Sequence, residues 1–395
     1  MKFNKLALPV LTVLACAAIQ IAAVAQAAVP TLGSGIKNLT VFGNTYVTTG
    51  ANSVVKGDIV SGDVLTTGAN ARVDGSITSV GASNVGGGTA SVGTYMYSGG
   101  VATVGAGGVI GGSIQSSGAA TIGANAAVGG NMISNGIATT GDSATVAGNI
   151  MSGGYVSLGA NSRVTGNLYS FGAPVMGAGS SASNLIPIGS SPIPANFTSS
   201  IASMVSTDAS QVTAAQNGFN AMGIGTALST TMVTSTTFTG GGVFSAANFS
   251  TTASTTLTLD DQGVRHDWVF NITDYLVTGA SSKVVMLNRN AGSTLTWNVG
   301  SGYASLGASG NFLGTILAKT YIAVGAGTVV SGLNSSCGIY SATSYVSTGD
   351  SAVVGGGCVT PTLTVNPVPE PEGYAMLLAG LVSIAFISRR RKAAK

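Results

Sequence analysis

Charge is what this 395-residue sequence has least of: 7% of its residues are Asp, Glu, Lys or Arg, against 59 glycines, one histidine and three cysteines. The formal net charge of +3 overstates the basic character, because Lys2, Lys5, Arg389, Arg390, Arg391, Lys392 and Lys395 all lie in terminal segments. Setting those aside with Glu370 and Glu372 leaves 8 basic against 10 acidic residues. A phosphate backbone needs a basic stripe, so no nucleic-acid partner is expected.

The same scarcity limits catalysis. His266 is the only histidine, so a His-based triad or metal site would depend wholly on the stretch 260–267, DDQGVRHD, which reads as a polar surface turn between two β segments. Outside the tail there is no glutamate, and the ten aspartates mostly occupy Gly turns, so spacing nominates no glycosidase pair. Asp is also too sporadic for a calcium-binding repeat. The many Gly-x-Gly patterns sit inside β repeats with no helix following, which removes the anion-binding helix terminus a phosphate cradle requires. No catalytic residue, cofactor or metal ligand is expected.

What the chain has in abundance is repetition. TTGANSVVKGDI at 48–59 returns as TTGANARVDGSI at 66–77, and the motif recurs at 103–114, 121–132, 139–150 and 157–168. Its leading glycines, Gly50, Gly68, Gly105, Gly123, Gly141 and Gly159, are 18 residues apart except across one degenerate copy near 86–96. Self-similarity at a short fixed period means stacked units that bury their apolar faces only against neighbours. The expected fold is mainly all-β, a β-solenoid or β-helix of 18-residue coils, with one long α-helix packed alongside. Apolar residues at fixed offsets, such as Val55 and Ile59 or Val128 and Met132, form the inward column, with glycine and Asn at the corners.

The remaining segments follow from composition. Residues 1–27 read as a signal peptide: Lys2 and Lys5, an apolar run, then Ala25-Gln26-Ala27 as a cleavage site. Regular coils occupy 28–172, and Pro174, Pro187, Pro192 and Pro194 mark 173–195 as a loop. Phe197, Ile201, Met204, Val205, Val212, Ala215, Phe219 and Met222 then fall at helical spacing, which predicts an amphipathic helix over 196–225. Its apolar stripe is expected along one side of the solenoid. Irregular β segments fill 226–360. Cys337 and Cys358 are candidates for a disulfide in an oxidising compartment, the alternative being two free buried thiols.

The tail, 361–395, places Pro369-Glu370-Pro371 before an apolar run at 374–387 and then Arg389-Arg390-Arg391. That order resembles the PEP-CTERM sorting signal of Gram-negative bacteria. The resemblance implies export, transient tethering to the inner membrane through 374–387, processing by an exosortase-type enzyme and release to the cell surface or beyond.

A second resemblance covers about 209–357. Gly242-Val243-Phe244, Leu257-Thr258-Leu259-Asp260, Trp268-Val269-Phe270-Asn271-Ile272, Thr296-Trp297-Asn298-Val299 and Phe312-Leu313-Gly314-Thr315-Ile316 are similar to the microbial ice-binding-protein family. That family builds an irregular β-solenoid with a long helix alongside. The opening, Leu32-Gly33-Ser34-Gly35 and Leu39-Thr40-Val41-Phe42-Gly43, also resembles choice-of-anchor A domains, and the long regular block is either a lengthening of the family's solenoid or a second one.

The family's ice-binding motif is Thr, then Ala or Gly, any residue, then Thr or Asn. Thr49 to Asn52 and Thr67 to Asn70 satisfy it one period apart, with weaker versions beginning at Thr140, Thr278 and Thr348. The alternative is that Gly-Ala-Asn is only a corner, and Val104, Ile122 and Leu158 interrupt the threonine row. The resemblance implies an exported protein that binds ice or ordered water through Thr-rich strand faces. The alternative is a structural or adhesive protein of the exopolysaccharide matrix, with polysaccharide as its partner.

Overall fold

The computed structural model describes residues 29–333 and 338–356. The leader at 1–27, Cys337, Cys358, Pro369, Glu370, Pro371, the run 374–387 and Arg389, Arg390 and Arg391 lie outside them.

Each regular coil is a triangle of very short strands, for example Ile114–Ser116, Ala120–Ile122 and Ala127–Val128. A three-residue strand buries its first and third side chains and turns the middle one outward, the period of two that any extended backbone imposes. Successive coils pair in parallel register, so Ala102, Ala120 and Ala138 stack in one inward column and Val104, Ile122 and Thr140 in another. Buried serines line a third column, where Ser98 and Ser116 donate their hydroxyls to corner carbonyls such as those of Val101 and Ala119. Without those bonds each buried hydroxyl would carry its desolvation cost.

The corners explain the motif. A Cβ at Gly123 would come within 2.5 Å of the Ala106 nitrogen in the neighbouring coil, so only glycine lets the turns stack at strand spacing. Two residues further on, Asn52, Asn70, Asn125 and Asn161 adopt left-handed backbone with φ between +55° and +58°. Asparagine tolerates that region better than most residues.

The two blocks that the sequence left as one solenoid or two are hydrogen-bonded into a single stack. The first coil, Leu39–Gly43, Val47–Thr49 and Val54–Val55, pairs on one side with the next coil and on the other with the last, Ile339–Ser341, Val346–Thr348 and Val353–Gly356. The chain therefore enters in the middle. It builds outward to the strand Leu185–Pro187 at one end, returns along the side as a helix, and builds back from the other end to meet its own first coil.

That helix, α1, spans Phe197–Asn220, slightly inside the predicted limits. Its 24 residues reach about 36 Å, enough to cross seven or so coils at strand spacing. Ile201, Val205, Val212, Ala215 and Phe219 pack on Phe42, Val60, Val269, Leu317 and Tyr340. Met204, expected on this stripe, is 40% exposed, one position out of the seam. At its C-terminus the Phe219 carbonyl accepts from Asn271 Nδ2 at 2.7 Å, satisfying one of the helix's orphan acceptors.

The half of the stack built from 226–356 has longer strands, including Gly242–Thr251 and Asp267–Val277, and a wider interior. Aromatic rings fill it. Trp297 stacks on Phe270 with centroids 4.1 Å apart, and Phe270 on Phe244 at 5.1 Å. The regular half instead uses Val, Ile, Ala and Met.

Asp208 lies on the buried side of α1, 4% exposed, beside the Gly35 turn. Burial pushes its carboxyl up to about 6. A folded-state value above the unfolded one means the folded protein holds that proton more tightly. The resulting stability is full below about pH 4 and lost as pH rises through about 6. Urea unfolding should therefore show greater stability at pH 5 than at pH 7. Asp208→Asn should flatten that slope and raise stability at pH 7 by on the order of 2 kcal/mol. An unchanged slope in the variant would remove Asp208 as its source.

Candidate functional site

Three faces run the length of the stack, and they differ in what they offer a ligand. The first, holding strands such as Leu39–Gly43 and Met96–Ser98, is largely roofed by α1. The third carries outward Lys56, Arg72, Asp74, Arg163 and Lys283, with Arg72 and Asp74 paired as ions. The second face is uncharged along its outward row.

That row is continuous. Thr48 stands in register with Thr66, Thr66 with Asn84, Asn84 with Thr103, Thr103 with Thr121, Thr121 with Thr139 and Thr139 with Ser157. No bulge interrupts these pairings, so neighbouring outward side chains repeat at about 4.7–4.9 Å, hydroxyl-bearing except at Asn84. Thr48 is exposed and the others are half-buried between flanking side chains. Across the junction with the last coil the row continues as Ser347, Ala323 and Ser305, where threonine is absent.

The threonines singled out by the sequence are not in this row. Thr49, Thr67, Thr140, Thr278 and Thr348 point into the solenoid and are 2%, 3%, 2%, 9% and 5% exposed. Strand alternation is the reason: in each Thr-Thr pair one side chain faces out and its neighbour faces in, and the motif selects the inner one. Their role is internal. Thr67 Oγ1 accepts the Gly86 N–H at 3.2 Å, Thr140 the Gly159 N–H at 3.2 Å and Thr278 the Gly307 N–H at 3.0 Å. Asn52 and Asn70 are exposed, but they are the left-handed corner residues, and Asn70 Nδ2 donates to Asn52 Oδ1 at 3.3 Å. The outward threonines carry a signal the motif missed. They are the residue before the inward one in Val47–Thr49, Leu65–Thr67 and Ala138–Thr140, and Thr103 and Thr121 keep the same register where Val104 or Ile122 follows.

In the polar stretch 260–267 the turn at 262–265 is exposed as expected, but Asp261 departs from it. Asp261 is fully buried, accepting from Trp268 Nε1 at 2.8 Å and from the Asn290 N–H at 3.0 Å. A buried indole N–H needs an acceptor, and the carboxylate is turned inward to supply it. His266 Nδ1 lies 3.7 Å from the same carboxylate. Among the described residues no three His, Cys, Asp or Glu side chains come together as ligands for a metal ion. A groove of about 560 Å³ beside α1 is lined by Ala202, Ser206, Ala209, Ser210 and Thr213 among others, none of them titratable.

Residues 172–354 match the ice-binding-like protein family, and residues 367–392 match the PEP-CTERM protein-sorting motif. An ice-binding protein of Nostoc sp. (strain HG1) is 37% identical over 154 residues, which are 38% of this chain and 54% of that protein. The chain thus spans about half the length of that curated relative. Among solved structures, the ice-binding protein of the Antarctic ascomycete Antarctomyces psychrotrophicus overlays with a TM-score of 0.39 at 16% identity, over 82% of this chain and 97% of its own. The DUF3494 domain of Shewanella frigidimarina ice-binding protein_1 overlays with a TM-score of 0.35 at 19% identity, over 58% and 94%. Overlays this loose say nothing about function. Among the described residues no helix is long and apolar enough to cross a membrane.

Proposed function

We propose that this chain is an exported ice-binding-like protein that holds ice or ordered water on its second face, through Thr48, Thr66, Thr103, Thr121 and Thr139. The observation that carries the reading is the in-register outward row on the one face that neither charge nor helix interrupts. Each threonine offers a methyl group and a hydroxyl in a fixed orientation, since a β-branched side chain in a strand has few rotamers. Repetition at strand spacing arranges those groups as a lattice, and water bound to a lattice can match a crystal plane. The family match on 172–354 and the relative described as an ice-binding protein support the ligand class. The row itself lies in the coils before that match, so the regular block is where this chain's own activity resides.

The reading includes no enzymatic activity and no cofactor. The sorting motif implies export to the cell surface or extracellular space. We place the route through the inner membrane of a Gram-negative bacterium, with 374–387 as a transient tether, an exosortase-type enzyme processing the tail, and the mature chain starting near Ala28. Thermal hysteresis and ice-recrystallisation assays on the purified 28–360 region test the function. Measurable inhibition of ice growth at micromolar to millimolar protein is expected, and no activity at the highest concentration sinks it.

The sorting motif also favours a second reading, a structural or adhesive protein of the exopolysaccharide matrix. Deletion of the gene should then weaken aggregation and biofilm, and unchanged biofilm counts against it.

A further inference from the structure

We propose that Tyr46 and Tyr345 form an oxidative cross-linking site, where a peroxide-driven one-electron oxidant joins the two phenols and staples the first coil to the last. Tyr303, Tyr321, Tyr345 and Tyr46 each precede a second-face strand and Tyr275 holds the same register within Asp267–Val277, so the parallel pairing places them in one column. Their rings stack as a ladder: centroids are 5.9 Å apart for Tyr275 and Tyr303, 4.6 Å for Tyr303 and Tyr321, 5.1 Å for Tyr321 and Tyr345, and 4.5 Å for Tyr345 and Tyr46. The last pair is nearly parallel, at 7°, and Tyr46 is 41% exposed at the end of the ladder, with Val64 next in the column.

Stacking of this kind leaves each ring's faces against its neighbours. The ladder offers edges and hydroxyls to solvent, which disfavours a sugar-stacking platform and favours chemistry between the rings themselves. The backbone holds the pair in place, since the Val346 N–H donates to the Tyr46 carbonyl at 3.1 Å.

The chemistry balances. Each phenol gives one electron and its O–H proton to the oxidant. The two phenoxyl radicals join through a new bond between the carbons next to oxygen, and the ring hydrogens on those carbons move to oxygen to restore two phenols. One hydrogen peroxide is reduced to two waters, and the protein loses two hydrogens. The bond would close a loop of nearly the whole described chain, and cross-links over long loops constrain the unfolded state most.

The test is treatment of the purified 28–360 region with a haem peroxidase and hydrogen peroxide, followed by proteolysis and mass spectrometry. The expected result is a monomer that has lost two hydrogens, a cross-linked peptide pair containing Tyr46 and Tyr345, dityrosine fluorescence and a raised Tm. Tyr345→Phe keeps the stacked ring but cannot form the phenoxyl, so that peptide pair should vanish. Tyr155 is 42% exposed but has Ile137 as a column neighbour, so it should link only between chains. An unchanged monomer mass, cross-links found only between molecules, or an undiminished Tyr46 link in Tyr345→Phe would overturn the proposal.

Discussion

Trp297→Ala should lower the unfolding free energy by about 3–5 kcal/mol. Trp297 is completely buried, and its ring meets Phe270 at 4.1 Å, Phe312 at 5.0 Å and Phe249 at 6.0 Å. Its indole N–H donates to the Leu313 carbonyl at 2.9 Å. Alanine opens a cavity among aromatic rings held by backbone ladders on both sides, which cannot collapse to fill it. Trp297→Phe keeps most of the apolar contact and loses chiefly the hydrogen bond, so it should cost about 1–3 kcal/mol. Urea unfolding followed by circular dichroism measures both. A Trp297→Ala loss below about 1 kcal/mol would mean that this wider half is loosely packed.

The contrast with the regular half explains which parts of the fold the sequence disclosed. Where coils repeat at 18 residues, the columns of Ala102, Ala120 and Ala138 and the glycine corners are written directly into the period. Helix α1 was legible for a similar reason: seven turns of apolar spacing outweigh local noise, although Met204 lies just outside the buried stripe. The pairing of Val41 with Ile339 and of Val47 with Val346 left no trace, because two residues about 300 positions apart share no period. DDQG is turn-like by composition, and only the buried Trp268 indole shows why the Asp261 carboxylate faces inward there. The motif's threonines lie one residue from the outward row. A motif that names Thr-Gly-Ala-Asn identifies the right strand and corner, but whether its Thr faces water depends on the phase of a period-two pattern, and three-residue strands give that phase few residues to declare itself.

This one-residue shift makes the functional proposal testable with fold held constant. Thr103→Lys combined with Thr121→Lys places two ammonium groups in the centre of the outward row, where ordering water against them incurs a desolvation cost. Thermal hysteresis at a given concentration should fall by more than about tenfold, equivalent to about 1.4 kcal/mol of binding. Stability should change little, because both side chains project from the sheet. Thr67→Val combined with Thr140→Val alters the inward column instead. Valine fills the same space; the Gly159 N–H keeps its bond to the Thr140 carbonyl at 2.8 Å while the Gly86 N–H loses Thr67 Oγ1, so the loss in stability should be about 1–3 kcal/mol. Ice activity should be unchanged. If the inward pair abolished activity in a folded protein while the outward lysines left it intact, the second face would not be the binding surface. If both pairs left it intact, the charged third face would be the one to test next, beginning with Arg72 and Arg163.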